Sequence, residues 1–466
     1  MAQGIRKPTN KGKHPPNFRL WCVTSVKLVS AEGIYTFLLP IITIFSMWVL
    51  NKLNNGYFVA AVLIFLIPLY ILSIFCRNRS FALPILSISF SALCIQWLVS
   101  TGIVGNDIHT EYEAYRQFLN GTWINDIPLI SRSLGVSVLP GIIETALHTA
   151  GTRFDAMVYK GIFVCINSFT PLVVYFIAKR VLSRRYAFVA SLLLIIQIGF
   201  LDTATDARFS LALFVFSLSL LFFVKKQSIP FGVTLALLPF CHYSVTYVAL
   251  LLYSGVLLTK YLWQWFRSRV KPQYGMVIAL AVGLAVSSWW LYDVNITVLR
   301  MNVIAFEDVG RAIERKETTK IEVAEPKSVT ITQSRVGSSP SLRTKNTAIE
   351  QLFFKGFNFP FMLNWIPIIL GVMGLVNMKN ITYWLLGLFG LLLLVLMITV
   401  PHWSVWYSPF RMLTQATVIL CVAVIAGHRN IARMYKVSPE FIFFPWWMFM
   451  FIHYTLEGLV QARGLI

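Results

Sequence analysis

The densest group of ionisable side chains in this chain consists of Asp107, His109 and Glu111, shortly after the apolar stretch 81–104. In an extended segment all three side chains point to one side, whereas in a helix Asp107 and Glu111 share a face, one turn apart. Either geometry aims two carboxylates at one substrate or one divalent cation, and a carboxylate can act as a general base. The simpler interpretation is a solvated loop whose acids only flank the end of a membrane span.

Two arginines each lie at the start of an apolar run. Arg208 follows the turn 202–206, and Arg411 follows the aromatic segment 402–410. A charge within a membrane span costs about 2.5–3.5 kcal/mol on insertion scales, so it usually faces a cavity or a partner. The guanidinium fork matches a pair of phosphate oxygens, so both arginines are candidates for binding a lipid phosphate. Alternatively, Asp206 neutralises Arg208, and Arg411 reaches water at the membrane surface.

We add Asp206 and four further residues to the candidates for binding the substrate. His242 and Tyr243 separate two apolar runs. A lone histidine in apolar surroundings is more often structural, but a contact with phosphate or sugar also suits this position. Trp290 lies toward the end of a span, where aromatic rings anchor the interface or stack on sugar faces. His402 opens the aromatic segment that precedes Arg411.

The composition predicts an all-α integral membrane protein that carries these residues on a polytopic helical bundle. Hydrophobic residues make up 57% of the chain and charged residues 13%, against about 25% charged residues in soluble domains. Apolar runs long enough to cross a hydrocarbon core of about 30 Å recur along the sequence. We predict thirteen transmembrane helices, at 34–50, 57–76, 81–104, 157–179, 186–202, 208–224, 228–241, 243–264, 274–297, 360–377, 381–400, 409–427 and 440–457.

The distribution of charge predicts how the bundle is oriented. The net charge is +21, but the basic residues lie mostly in short loops, as the positive-inside rule requires on the cytoplasmic side. We therefore do not expect nucleic acid as a partner, and we expect a multi-pass protein of the cell membrane with a cytoplasmic N-terminus. The loop 105–156 contains six acids and three arginines, which is the opposite bias and predicts the outer face.

The predicted domain organisation follows from these spans. Residues 1–33 form a basic cytoplasmic tail, 34–457 the transmembrane domain and 458–466 a C-terminal tail. Two long outer loops interrupt the domain. The loop 105–156 contains the acidic cluster and is the catalytic candidate, and the polar loop 298–359 is a candidate lid over the site.

With these residues in place, the chain resembles the GT-C superfamily of polytopic glycosyltransferases. It is more closely similar to prokaryotic membrane proteins of unassigned function whose outer loop reads D-I-H-x-E-Y, here residues 107–112. The shared features extend in order from 81 to 427. They include an arginine that opens a later span (Arg208), a His-Tyr-Ser break (242–244) and an arginine near the last spans (Arg411).

The resemblance implies a GT-C-like fold with catalysis on the outer face and a polyprenyl-phosphate sugar as donor. It also implies that an acidic residue in the first large outer loop is the key side chain. In most GT-C enzymes that loop follows the first span and contains adjacent acids. Here it follows the third predicted span, and Asp107 and Glu111 are spaced apart.

We therefore expect an inverting glycosyltransferase in which Asp107 removes the proton of the acceptor hydroxyl. Glu111 and His109 would orient the acceptor or hold a divalent cation, and Arg411 and Arg208 would bind the lipid phosphate. The acceptor would be a glycan, a lipid or a protein. We also expect membrane lipids as partners.

Two other functions fit the same residues. One is a transporter or flippase of a lipid-linked or anionic substrate, and the other is a non-catalytic assembly subunit. If a metal is bound, it would be Mg²⁺ or Mn²⁺ at Asp107 and Glu111. Motifs that bind nucleotide phosphates are absent from the sequence, and we expect no nucleotide or redox cofactor.

Overall fold

The computed structural model describes residues 32–53, 66–74, 81–98, 106–121, 133–148, 156–201, 203, 206–267, 274–292, 359–399, 409–437 and 443–453. Within them, fifteen helices have the following bounds: α1 Glu32–Leu53, α2 Ala82–Leu98, α3 Asn106–Leu119, α4 Leu134–His148, α5 Ala156–Ser168, α6 Thr170–Ala178, α7 Arg184–Ile195, α8 Ile198–Leu201, α9 Ala207–Lys225, α10 Ser228–Cys241, α11 Tyr243–Arg267, α12 Tyr274–Trp290, α13 Phe359–Val376, α14 Ile381–Thr399 and α15 Pro409–Met434. Further helical residues lie at 66–74 and 443–453.

The predicted helical class is confirmed, because no strand occurs among the residues that the structure describes. By length and composition, four segments of the described part of the chain could cross a membrane: Ala156–Ala178, Ala207–Lys225, Tyr243–Trp263 and Arg411–Met434. Shorter apolar helices accompany them. The count of thirteen spans stays a prediction. Residues 298–358 of the predicted lid and the two predicted tails, except Glu32 and Gly33, lie outside the described ranges.

Two predicted spans are interrupted, and one predicted loop contains helices. The span 157–179 is divided at Phe169, where Pro171 near the start of α6 lacks the N–H that would continue the ladder. The span 186–202 is divided between α7 and α8. Within the predicted loop 105–156 the structure describes two helices, α3 and α4, so the acidic cluster lies on a helix and not on an extended segment. The break at His242 is confirmed, since α10 ends at the residue before it.

Helix α9 is the central helix of the bundle. It packs against α3, α4, α5, α6, α10, α11 and α15. Its nineteen residues span roughly 28 Å at 1.5 Å per residue, close to the thickness of a hydrocarbon core. Because most of its surface is covered by other helices, polar side chains at its ends must find partners inside the protein.

Helices α13 and α15 approach each other so closely that their backbones touch. A Cβ added at Gly374 would collide with the carbonyl oxygen of Ala423, and one added at Gly427 would collide with that of Leu370. Small residues permit such crossings in membrane bundles, where association depends on van der Waals packing. This contact fixes the position of α15, whose first turn contains Arg411.

The two ends of the bundle differ in charge. Helix α9 runs from the end at Asp206 to Lys225, and Lys226 in the left-handed conformation stops it there. Lys260 of α11 lies near Lys226. Arg429, toward the end of α15, lies over the ring of Tyr186 at the start of α7. Basic residues therefore gather at one end, and the candidate site lies at the other.

Candidate functional site

The candidate site is built on the N-terminus of α9, where two carboxylates cap the helix. The first N–H groups of a helix have no partner within it and form the positive end of its dipole. Asp206 is the N-cap residue, and its Oδ1 accepts from the N–H of Phe209 at 2.9 Å. Glu111, from α3, accepts with Oε2 from the N–H of Ala207 at 2.8 Å and of Arg208 at 3.4 Å. The start of α9 therefore depends on an acid about ninety-six residues earlier.

Glu111 also forms a buried ion pair with Arg208. The Nε of Arg208 lies 2.6 Å from Oε1 of Glu111, and the two side chains are 8% and 0% exposed. Both oxygens of Glu111 thus accept from N–H groups of α9. A buried charge pair is stable only when its remaining donors and acceptors are also satisfied, and the backbone contacts of Glu111 meet that requirement.

A second ion pair joins Asp206 to Arg411 across α9 and α15. The Nη2 of Arg411 lies 2.6 Å from Oδ2 of Asp206, and the Arg411 side chain is 23% exposed. The guanidinium also lies over the ring of Phe209, 6.0 Å from its centroid. The sequence suggested Asp206 as the partner of Arg208. The structure instead pairs Arg208 with Glu111 and Asp206 with Arg411.

Both arginines occupy helix positions that disfavour a cation. Arg208 is the second residue of α9, and Arg411 is the third residue of α15. A positive side chain in the first turn is opposed by the helix dipole, an effect of about 0.3–1 kcal/mol at exposed sites. The carboxylates of Glu111 and Asp206 offset this repulsion, so all four charges depend on one another.

His242 lies beside these pairs, in the break between α10 and α11. It is buried, its backbone is extended, and its Nδ1 is 2.9 Å from Oγ of Ser244. Its ring meets the edge of Phe209 and stacks on Tyr243, with centroids 6.3 and 5.2 Å apart. Burial, with the nearby charges of Arg208 and Arg411, holds the pKa of His242 well below its ordinary value. The imidazole is therefore neutral at pH 7 and can accept or donate a hydrogen bond.

Helix α3 directs its predicted site residues to different sides. Positions two apart on a helix do not face each other, and His109 is exposed whereas Glu111 is fully buried. The structure therefore does not bring His109 to the ion pairs. Asp107 lies in the first turn of α3, one turn before Glu111, and its side chain lies outside the described part of the chain.

The remaining predicted residues lie around this end of the bundle or outside the described ranges. Tyr243 begins α11 directly beside His242. The ring of Trp290, at the end of α12, is 4.6 Å from that of Phe240 in the last turn of α10. His402 lies outside the described residues.

Glu111 does not fit the predicted role of a metal ligand in this arrangement. A cation at its oxygens would lie beside the guanidinium of Arg208, and like charges at such distances repel strongly in buried surroundings. The described residues include no group of three or more His, Cys, Asp and Glu side chains arranged to hold a metal ion. A divalent cation at Asp107 and Glu111 stays a prediction.

A cluster of three tyrosines fixes α3 to the bundle, and the sequence predicted this cluster only in part. The rings of Tyr112, Tyr115 and Tyr159 lie 5.2–5.8 Å apart. The hydroxyl of Tyr159, from α5, donates to the carbonyl oxygen of Val136 in α4 at 3.2 Å. Tyr159 gave no signal of its own, because an aromatic residue in an apolar span is ordinary. The cluster holds Glu111 against α9.

A buried polar network that the sequence analysis missed holds the turn before α9. Asn167 donates to Oγ1 of Thr203 at 2.6 Å and accepts from Thr170 at 2.7 Å, and Ser210 donates to the carbonyl oxygen of Thr203 at 2.5 Å. All four residues are buried. The sequence signal was an asparagine three residues before a Thr-Pro pair, between two apolar stretches. This network positions Asp206, three residues after Thr203.

A scan against protein-family models and a search of curated proteins found no match to this chain.

Proposed function

We propose that this chain is a membrane glycosyltransferase that moves a sugar from a polyprenyl-phosphate donor to an acceptor hydroxyl, with inversion at the anomeric carbon. One observation supports this proposal most. Two carboxylates and two guanidinium groups from α3, the start of α9 and α15 converge at one end of the bundle, and only one of the two pairs is partly open. An open guanidinium beside a membrane surface suits a lipid phosphate.

Arg411 is the residue that binds the donor phosphate in this proposal. As the bond between the anomeric carbon and the phosphate oxygen breaks, the phosphate leaves with the electron pair and gains negative charge. A well-placed donor at such a position contributes about 3 kcal/mol to the transition state. Arg208 is held by Glu111, so we assign it to positioning rather than to direct phosphate binding.

Asp107 is the proposed general base. It takes the proton of the acceptor hydroxyl while that oxygen forms the new bond to the anomeric carbon. Glu111 contributes indirectly, because its contacts with Ala207 and Arg208 fix α3 and hence position 107 relative to α9. We assign contacts with the sugar to Trp290 and to His242, which lies near both arginines.

The proposed site faces the non-cytoplasmic side of a cell membrane, with the N-terminus in the cytoplasm. The basic end of the bundle, with Lys225, Lys226 and Arg433, would then lie in the cytoplasm as the positive-inside rule expects. The loop 298–359 would close over the sugar and exclude water. The acceptor would be a glycan, a lipid or a protein.

The test is sugar transfer by the purified protein in nanodiscs, with a radiolabelled polyprenyl-phosphate sugar and candidate acceptors. We expect Asp107→Asn to lower the transfer rate about 10²–10⁴-fold, the usual contribution of a positioned base. Glu113→Gln, on the exposed face of α3, is the matched control and should keep full activity. Undiminished transfer by Asp107→Asn would remove Asp107 from the role of base.

The second candidate function is transport of a lipid-linked or anionic substrate. It is favoured by the break at His242, because interrupted helices line binding sites in many transporters. Movement of the intact labelled lipid across a vesicle bilayer, without transfer of sugar to an acceptor, would select this alternative.

A further inference from the structure

Asp206 performs two tasks with two different atoms. Its Oδ1 caps α9 through the N–H of Phe209, and its Oδ2 pairs with Nη2 of Arg411. The first task needs only an acceptor oxygen, whereas the second needs a negative charge. Asparagine caps helices as well as aspartate but carries no charge. The two tasks can therefore be separated by a single substitution.

The pair of Asp206 with Arg411 is accessible, unlike that of Glu111 with Arg208. Its access is through Arg411, whose side chain is 23% exposed, whereas Asp206 is 7%, Arg208 8% and Glu111 0% exposed. A guanidinium has five N–H donors in a planar fork, so an anion can approach from the exposed side. Arg208 is enclosed, and its carboxylate partner also holds two backbone N–H groups.

We propose that Asp206 is an internal anion that holds Arg411 ready and is displaced from it when a phosphate monoester or diester binds. Carboxylate and phosphate oxygens compete for the same fork. After the exchange, Oδ1 of Asp206 still caps α9, and the positive end of the helix dipole still stabilises its charge. Asp206 is thus a positioning residue that sets the affinity for phosphate. The inference depends on the proposed function only for the identity of the anion.

Opposite effects of two substitutions follow. Asp206→Asn keeps the cap and removes the competitor, so phosphate should bind about two- to fivefold more tightly, the scale of one partly exposed ion pair. Arg411→Gln should weaken binding at least tenfold. In the double variant, Asp206→Asn should give no gain, because its effect acts through Arg411. A purely structural role for Asp206 would instead weaken binding in Asp206→Asn.

The experiment measures the binding of farnesyl phosphate to the full-length protein in nanodiscs, by displacement of a fluorescent analogue. Farnesol is the control for partition into the bilayer, and inorganic phosphate shows whether the lipid chain contributes. Circular dichroism and thermal unfolding confirm that each variant is folded.

Each outcome decides one part of the proposal. Tighter binding by Asp206→Asn that is lost in the double variant supports the exchange. Unchanged or weaker binding by Asp206→Asn, with a loss in Arg411→Gln, overturns the exchange but keeps the phosphate site. A gain that persists in the double variant also overturns it, and unchanged binding in both single variants removes the phosphate site. If phosphate exchange is observed but no sugar is transferred, only the glycosyltransferase proposal fails.

Discussion

The two ion pairs at the start of α9 have the same chemistry but different surroundings. In each, a guanidinium nitrogen lies 2.6 Å from a carboxylate oxygen. The pair of Glu111 with Arg208 is enclosed and also holds two backbone N–H groups of α9. The pair of Asp206 with Arg411 is partly exposed. The two ion pairs therefore do not differ in the distance between nitrogen and oxygen. They differ in burial, and burial distinguishes their roles.

Burial determines what each pair can do. Breaking an enclosed pair leaves an uncompensated charge in a medium of low dielectric, which is strongly destabilising. In the other pair only Arg411 reaches water, because the Asp206 side chain is 7% exposed. When its partner leaves, Asp206 keeps its contact with the N–H of Phe209 and with the positive end of the dipole of α9. The enclosed pair is therefore suited to holding α3 against α9, and the partly exposed pair is suited to exchanging partners with a substrate.

The largest effect is expected from Glu111→Ala, which should lower the free energy of unfolding by about 3–5 kcal/mol. The substitution leaves the charge of Arg208 buried without its carboxylate and removes the acceptor of Ala207. Reversible unfolding in micelles, monitored by circular dichroism, measures the change.

Two variants test whether the buried charge is the cause of this loss. Glu113→Gln changes an exposed acid on the other side of α3 and should shift stability by less than about 0.5 kcal/mol. The double variant Glu111→Met with Arg208→Met removes both charges and should recover much of the loss. If the double variant is as unstable as Glu111→Ala, the ion pair is not what holds α3.

We expect Arg411→Gln to lower activity strongly and to lower stability less than Glu111→Ala does. Transfer should fall about 10²–10³-fold, as when one donor to a developing negative charge is removed. The free energy of unfolding should fall by about 1–3 kcal/mol. This is less than for Glu111→Ala, because Asp206, although only 7% exposed, keeps its contact with the N–H of Phe209.

The matched control is Arg433→Gln, at the opposite end of the same helix, where the side chain is exposed. It should leave both transfer and stability unchanged. A loss of stability in Arg411→Gln comparable to that of Glu111→Ala would contradict the distinction between the two pairs.

The helical part of this architecture could be predicted because it depends on local patterns. Apolar runs of about twenty residues predict spans, and the polar residue His242 between two such runs predicts the break that the structure contains. The divisions at Phe169 and after Ile195 were not predicted, although Asn167, Thr170 and Pro171 interrupt the apolar run at the first of them. There the side chains of Asn167 and Thr203 bond to each other, and such partners cannot be identified from one segment alone.

The pairing of the charged side chains could not be predicted from the sequence. Asp206 and Arg208 are two residues apart, which suggested that they neutralise each other. Residues two apart at a helix start point in different directions, and each finds its partner on another helix, Arg411 and Glu111 respectively. These partners are about one hundred to two hundred residues distant, and their selection depends on how α3 and α15 pack against α9.

The smallest expected effect is the difference in stability between Asp206→Ala and Asp206→Asn. This difference tests whether folding needs the charge of Asp206 or only its cap. Alanine removes both the cap of α9 and the pair with Arg411, whereas asparagine removes only the charge. Loss of a cap costs about 0.5–2 kcal/mol, so Asp206→Ala should be less stable than Asp206→Asn by about 1 kcal/mol in unfolding measured side by side. Asp206→Asn itself should stay within about 1 kcal/mol of the unmodified protein. If asparagine were as damaging as alanine, the charge of Asp206 would be needed for folding, and the pair with Arg411 would belong with the enclosed pair rather than with the substrate.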